Sequence, residues 1–342
     1  MFKRILVPLD GSERAERAIP VAARLARATG GSITFLRVVT AAIDAAWSIL
    51  EAPTLMQHAV DTEQARVMDY LTQLATMQAL AGVEIHTRVL SGVPAQHILA
   101  VAHTEQIDLI VLCSHGYSGM TRWTLGSVAE KVARSALVPV LVLRESGPVP
   151  ARPHPDATRP LRALVSLDGS VLAKAALAPA ASLIAALAAP AQGALHLVRV
   201  VKPMTPDNEE KDPQEREHVL HKAKKYLGMT AEHLREGLVA PAVAGLIQPV
   251  SWSVAVDTDV ASAIVRVAEN GEDAEGAGVF GGCDVIAMAT HGRSGMQRWA
   301  MGSISERVLH ATKLPLLIVR PATMMDISKV TWDETTLAAI EG

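Results

Sequence analysis

Two stretches of this 342-residue chain share an unusual set of residues able to do chemistry. The first, Cys113 to Ser127, reads CSHGYSGMTRWTLGS; the second, Ala289 to Ser303, reads ATHGRSGMQRWAMGS. Both contain His-Gly (His115-Gly116, His291-Gly292), then Gly-Met at Gly119 and Gly295, then Arg-Trp at Arg122 and Arg298. Both close on Gly-Ser (Gly126-Ser127, Gly302-Ser303). An apolar run ends at Leu112 before the first and at Met288 before the second, and a helical pattern follows from Val128 and from Ile304. Glycines let a backbone approach a ligand closely, and the N–H groups of a helix's first turn attract anions. Strand, glycine loop and helix start together predict a cradle for phosphate, present twice.

A second recurring pair converges on each loop. Val7-Pro8-Leu9-Asp10-Gly11-Ser12 returns as Val165-Ser166-Leu167-Asp168-Gly169-Ser170. A carboxylate at the end of a strand can accept hydrogen bonds from a ribose or an amine, or it can cap the helix that follows. Ser127-Val-Ala-Glu130 and Ser303-Ile-Ser-Glu306 match the Ser-x-x-Glu capping box, so these serines are expected both to cap and to touch phosphate. His115 and His291 read as turn-stabilising rather than catalytic. Arg122 and Arg298 either reach phosphates or stack beside their tryptophans in solvent. Cys113 and Cys283 read as buried thiols. The pattern G-x-x-x-x-G-K-[ST] is absent, as is H-E-x-x-H, and Met120 stands where a nucleophile elbow needs glycine. No paired general acid and base is recognisable.

The elements that must position these residues repeat as well. The offset between copies is 168 − 10 = 158 at the aspartates and 291 − 115 = 176 at the histidines, so copy two has gained about 18 residues. In copy one, strands are expected over 4–9, 32–39, 83–90, 108–112 and 138–143, with helices between them. The first helix places Arg14, Arg17, Arg24 and Arg27 on one face and Ala18, Ala22 and Leu25 on the other; Pro20 is expected to kink it, with Pro179 at the matching place. Gly30-Gly31 stops it. Strand alternating with helix implies an α/β fold: two tandem doubly wound domains, each a five-stranded parallel sheet flanked by helices. We expect the domains over 1–144 and 161–321, joined by a linker at 145–160 containing five prolines and followed by a tail over 322–342. A glycine-rich acidic insert, 270–282, is expected at the sheet edge opposite the strand C-termini, away from the site.

Composition bounds the rest. At 49% hydrophobic and 20% charged the chain is globular, and its length suits two domains better than one. A net charge of −3 disfavours nucleic acid and anionic membrane as partners. From Ala175 to Val198 there is no Asp, Glu, Lys or Arg, yet the prolines and the match to copy one make it a buried helix and strand rather than a span. Two cysteines and the lack of a signal-like start point to the cytoplasm.

These motifs resemble the universal stress protein family in tandem, over roughly 2–144 and 161–320. The nucleotide-binding branch carries Gly, two residues, Gly, nine residues, Gly-Ser; here Cys113 and Ala289 replace the first glycine, with the spacing kept. Neither replacement adopts positive φ cheaply, which would weaken binding if that conformation is needed. The resemblance implies a Rossmann-like, adenine nucleotide alpha hydrolase-like fold and a regulatory stress-response role. Its ligand would be ATP or another adenine nucleotide, with Mg²⁺ accompanying a triphosphate. Asp10 and Asp168 would lie against the adenosine, and the backbone at Val38 and Val200 against the adenine edge. The family also pairs through its fifth strand, implying an intrachain pseudo-dimer and leaving further homo-oligomers open. Two alternatives stand beside it: a nucleotide-free interaction module, and a slow ATPase.

Overall fold

The computed structural model describes residues 1–40, 53–114, 125–145, 147–148, 150, 159–203, 213–271, 275–276, 282–292 and 301–321. In copy one the strands are β1 (Arg4–Leu9), β2 (Ser32–Val39), β3 (Glu84–Ser91), β4 (Leu109–Cys113) and β5 (Val140–Leu143). Copy two contributes β6 (Arg162–Ser166), β7 (Gly193–Val201), β8 (Ile247–Val256), β9 (Glu275–Gly276), β10 (Val285–Ala289) and β11 (Leu316–Val319). All eleven join one sheet in the order β3-β2-β1-β4-β5-β11-β10-β6-β7-β8-β9. The five main strands of each copy are therefore wound 3-2-1-4-5 with parallel neighbours, and β9 adds to the outer edge of copy two. The copies meet at β5 and β11, which pair antiparallel with Leu141 opposite Leu317. That is the fifth-strand pairing the resemblance implied, made within one chain.

Helices cover both faces. On one lie α1 (Glu13–Glu16), α2 (Ala18–Thr29) and α3 (Pro53–Ala75), and on the other α4 (Pro94–Thr104) and α5 (Ser127–Ser135). Copy two repeats this with α6 (Leu177–Ala188) and α7 (Pro213–Arg235) on the first face, and α8 (Val260–Asn270) and α9 (Ser303–Ala311) on the second. Strand side chains alternate between two cores: Ile5, Phe35, Leu141 and Leu317 face one, while Leu6, Leu36, Val142 and Leu316 face the other. Burial on both faces explains why these strands read as unbroken apolar runs.

Pro20 does not kink a helix; the helix is already broken one turn earlier. Pro20 lacks the N–H that would bond the Glu16 carbonyl, so α1 stops at Glu16 and α2 restarts at Ala18 with the proline in its first turn. Pro179 repeats the device, since a 3₁₀ turn over Ala173–Ala176 precedes α6. Gly30 ends α2 in the left-handed region at φ 60°. Two of the four arginines of this segment turn back onto the chain. Arg14 pairs with the Glu145 carboxylate at 2.9 Å, and Arg17 donates to the carbonyls of Glu145 and Gly147, clasping the chain that leaves β5.

The insert also departs from expectation. Its residues Glu275 and Gly276 pair antiparallel with Val254 and Ser253, near the C-terminal end of β8, rather than staying at the opposite edge. Residues 175–198 form the buried α6 and most of β7, and no helix among the described residues is long and apolar enough to cross a membrane. The tail and most of the linker and insert lie outside the described residues.

Candidate functional site

The winding reverses between β1 and β4, which are parallel neighbours, so a crevice opens where their C-terminal ends diverge. A cavity of about 740 Å³ occupies that place in copy one. Pro8, Leu9 and Asp10 form one wall, Val38 another, and Leu112 and Cys113 the floor, with Gly126, Ser127 and Val128 opposite. Nine residues expected from the motifs thus border one space. His115, Gly116, Gly119 and Arg122, together with Gly295 and Arg298, lie outside the described residues.

The Asp10 turn is tightly organised. Its Oδ1 accepts from the Ser12 N–H at 3.0 Å and the Ser12 hydroxyl at 2.6 Å, while Ser12 Oγ accepts from the Ala15 N–H and caps α1. Gly11 sits at φ +80°, a conformation open to glycine, with the Arg37 guanidinium packed beside it. Ser12, not Asp10, is therefore the cap of α1; Asp10 braces that capping serine and borders the cavity.

At the opposite wall the capping-box expectation fails. Gly126 is the N-cap of α5, and Ser127 is the first helical residue. Glu130 does not reach back to a capping serine: its N–H bonds the Gly126 carbonyl, and its carboxylate pairs with Arg134. Glycine holds the N-cap in copy two as well, at Gly302, with Ser303 beginning α9. Gly126, Ser127, Val128 and Ala129 border the cavity, which places the first turn of α5, the positive end of its helix dipole, at that wall.

The missing first glycine costs no backbone strain. Cys113 and Ala289 are strand residues, and positive φ outside glycine occurs among the described residues only at Phe2 and Gln106. The Cys113 thiol turns toward α1, where its sulfur lies 3.9 Å from the Ala15 carbonyl. Burial pushes this thiol up to about 12, which keeps it protonated at neutral pH.

Helix α3 brings residues that the motifs did not reveal. Glu63, Arg66 and Tyr70 border the cavity beside Arg37. Arg66 grips the Glu63 carboxylate through two hydrogen bonds, at 2.8 and 2.9 Å, which lowers the pKa of that carboxyl. The Tyr70 hydroxyl donates to Glu16 at 2.8 Å; burial and that carboxylate raise its pKa. The available signal was recurrence, since Arg37 and Tyr70 return as Arg199 and Tyr226. In copy two Lys174 and Arg199 both lie over the Tyr226 ring, 5.2 and 5.5 Å from its centre.

The other expected residues of copy two occupy the corresponding edge. Ser166 ends β6, Val200 lies in β7 opposite Ala255, and Met288 and Ala289 end β10, both buried. The Gly302 N–H donates to the Thr290 carbonyl at 2.8 Å, as the Gly126 N–H does to Ser114 at 2.7 Å. Ile304 follows Ser303 in the first turn of α9. Gly292 packs directly against the Asp168 carboxylate.

Relatives and folds agree with this geometry. A universal stress protein of Methanocaldococcus jannaschii is 30% identical over 151 residues, 42% of this chain and 84% of that one. One from Bacillus subtilis is 31% identical over 148 residues, again 42% of this chain and 100% of its own. The crystal structure of a universal stress protein from Archaeoglobus fulgidus covers 94% of this chain and 99% of that one, with a TM-score of 0.59 at 21% identity, a likeness of fold. The model of the universal stress protein family matches residues 1–144 and 161–320, once for each winding of the sheet, and the chain belongs to that family.

Proposed function

We propose that the protein binds an adenine nucleotide in the copy-one cavity and acts as a regulatory binding protein in a stress response. One observation carries this reading: a single cavity joins a ribose-sized carboxylate turn at Asp10, the strand edge at Val38 and the N-terminus of α5. Adenine would lie along the Val38 backbone, the ribose against Asp10, and the phosphates at Ser127 and the first-turn N–H groups of α5. A triphosphate would bring Mg²⁺ with it as its counterion.

The carboxylates at this site favour holding over catalysis. Asp10 accepts from Ser12, Glu63 from Arg66 and Glu16 from Tyr70, so each already serves another group. A general base needs a carboxylate or imidazole poised on the attacking water. Slow hydrolysis would rest on phosphate geometry and the accompanying metal ion.

Ligand extracted from freshly purified protein and identified by mass should be an adenine nucleotide. Gly126→Val should then abolish uptake. The N-cap dihedrals, φ −62° and ψ 142°, are ones valine adopts; at the matching Gly302 an added Cβ would meet the Thr290 carbonyl at 2.9 Å, so the variant's fold is checked by circular dichroism first. Unchanged uptake by a folded Gly126→Val protein would refute the phosphate reading.

A further inference from the structure

We infer that the nucleotide held by copy one carries a second phosphate, on the 2′ or 3′ oxygen of its ribose, and that Arg37 receives it; this rests on the nucleotide reading above. The cavity straddles the edge of the sheet, and strand alternation divides its chemistry. Leu36, Val38, Ile98 and Leu112 line it from the second face and belong to the apolar core there. A base suits that side, and α5, whose N-terminus would hold the 5′ phosphates, packs on the same face. Arg37 lies two residues beyond Phe35 on β2, so it stands on the first face, where Glu63, Arg66 and Tyr70 of α3 complete the wall.

Arg37 is the charge on that wall left for a ligand. Arg66 already donates two hydrogen bonds to Glu63, while Asp10 accepts from Ser12 and Glu16 from Tyr70. Among the groups that lower the pKa of Glu63, Arg66 acts most strongly and Arg37 least. Among the described residues Arg37 has no ion pair, and its one hydrogen bond reaches the Leu9 carbonyl at a long 3.4 Å. A guanidinium offers five donors in a planar fork that matches phosphate oxygens. Both terminal nitrogens lie 3.5 Å from where a Cβ on Gly11 would stand, so the fork rests against the bare residue that follows Asp10. With the ribose against Asp10, its base and 5′ chain leave toward the second face. The 2′ and 3′ oxygens are then the groups that face Gly11, and a phosphate ester on either would meet the Arg37 fork.

Titration calorimetry of the full chain with AMP, adenosine 2′,5′-bisphosphate and adenosine 3′,5′-bisphosphate tests this. One of the bisphosphates should bind about tenfold tighter than AMP, the gain expected of a charge-assisted contact. In Arg37→Gln that ratio should fall to about one, and in Arg37→Lys, which keeps the charge without the fork, it should lie between. Because the ratio is read within each variant, a general effect of the substitution on the fold or the site cancels. No gain from either bisphosphate in the wild type, or a gain that survives Arg37→Gln, would overturn the inference while leaving the nucleotide reading intact. No uptake of AMP, ATP or either bisphosphate would overturn the nucleotide reading itself, and the inference with it.

Discussion

His196 is an imidazole placed in the middle of a parallel sheet, 1% exposed, with a serine at each ring nitrogen. Nδ1 lies 2.9 Å from Ser251 Oγ and Nε2 2.7 Å from Ser253 Oγ, so a neutral ring is fully satisfied by one donor and one acceptor. Burial first, and the nearby Arg162 second, push its pKa from 6.5 down to about 3. The folded protein therefore refuses a proton that the unfolded chain accepts. Stability owed to the neutral ring is complete above pH 6.5 and is lost progressively as the pH falls toward 3. Denaturant midpoints measured across that range should fall less steeply for His196→Gln than for the wild type, by at most about 1.4 kcal/mol per pH unit. Parallel slopes would show that the ring titrates in the folded state. Nothing in the sequence marked His196, because one polar residue in an apolar strand reads as a break in pattern until β8 brings two hydroxyls beside it. Ser127 is the opposite case: the residue stood out in the sequence, but the capping half of its expected role belongs to the glycine before it. The Ser-x-x-Glu spacing is satisfied equally well by a helix that starts one residue earlier, and glycine takes the cap in both copies.

Elements bounded by their own side chains were the most legible. β1, β2, α4 and α5 have the limits that apolar runs, Pro94 and the Gly-Ser junction imply. The break between α1 and α2 was displaced by one turn, because a proline acts on the carbonyl four residues before it rather than at its own position. The path of the insert was not legible at all, since β9 exists only through its pairing with β8. Gly30 offers a clean test at this scale. It closes α2 at φ 60°, and a methyl group there would meet only the end of the flexible Lys3 side chain, at 3.6 Å. Gly30→Ala should therefore cost about 1 kcal/mol through backbone conformation alone, and Gly30→Asn less, read from denaturant midpoints at unchanged slope. Equal losses for the two variants would point to a packing clash instead.

Across the whole molecule the two copies share one sheet and two cores. Repeated motifs made the duplication readable, and resemblance alone suggested where the copies would join. What the sequence could not reveal is the continuity of the cores. Each face of the sheet buries side chains of both copies in a single cluster, and Leu141 and Leu317 stand opposite one another at the seam, both fully buried. Arg134 of α5 adds a polar link, holding Glu130 of its own helix at 2.9 Å and Glu306 of α9 at 2.7 Å. These pairs are partly exposed and contribute little beside the apolar seam. Truncating one seam residue should thus be felt by both halves. Leu317→Ala removes a buried side chain in a place with no room to collapse, and should cost about 2–5 kcal/mol. Because the core is shared, the loss should appear as one calorimetric transition moved to lower temperature, with calorimetric and van't Hoff enthalpies remaining equal. Two resolved transitions, with the copy-one half keeping its original midpoint, would show that the halves fold independently and that the seam is only a contact between finished domains.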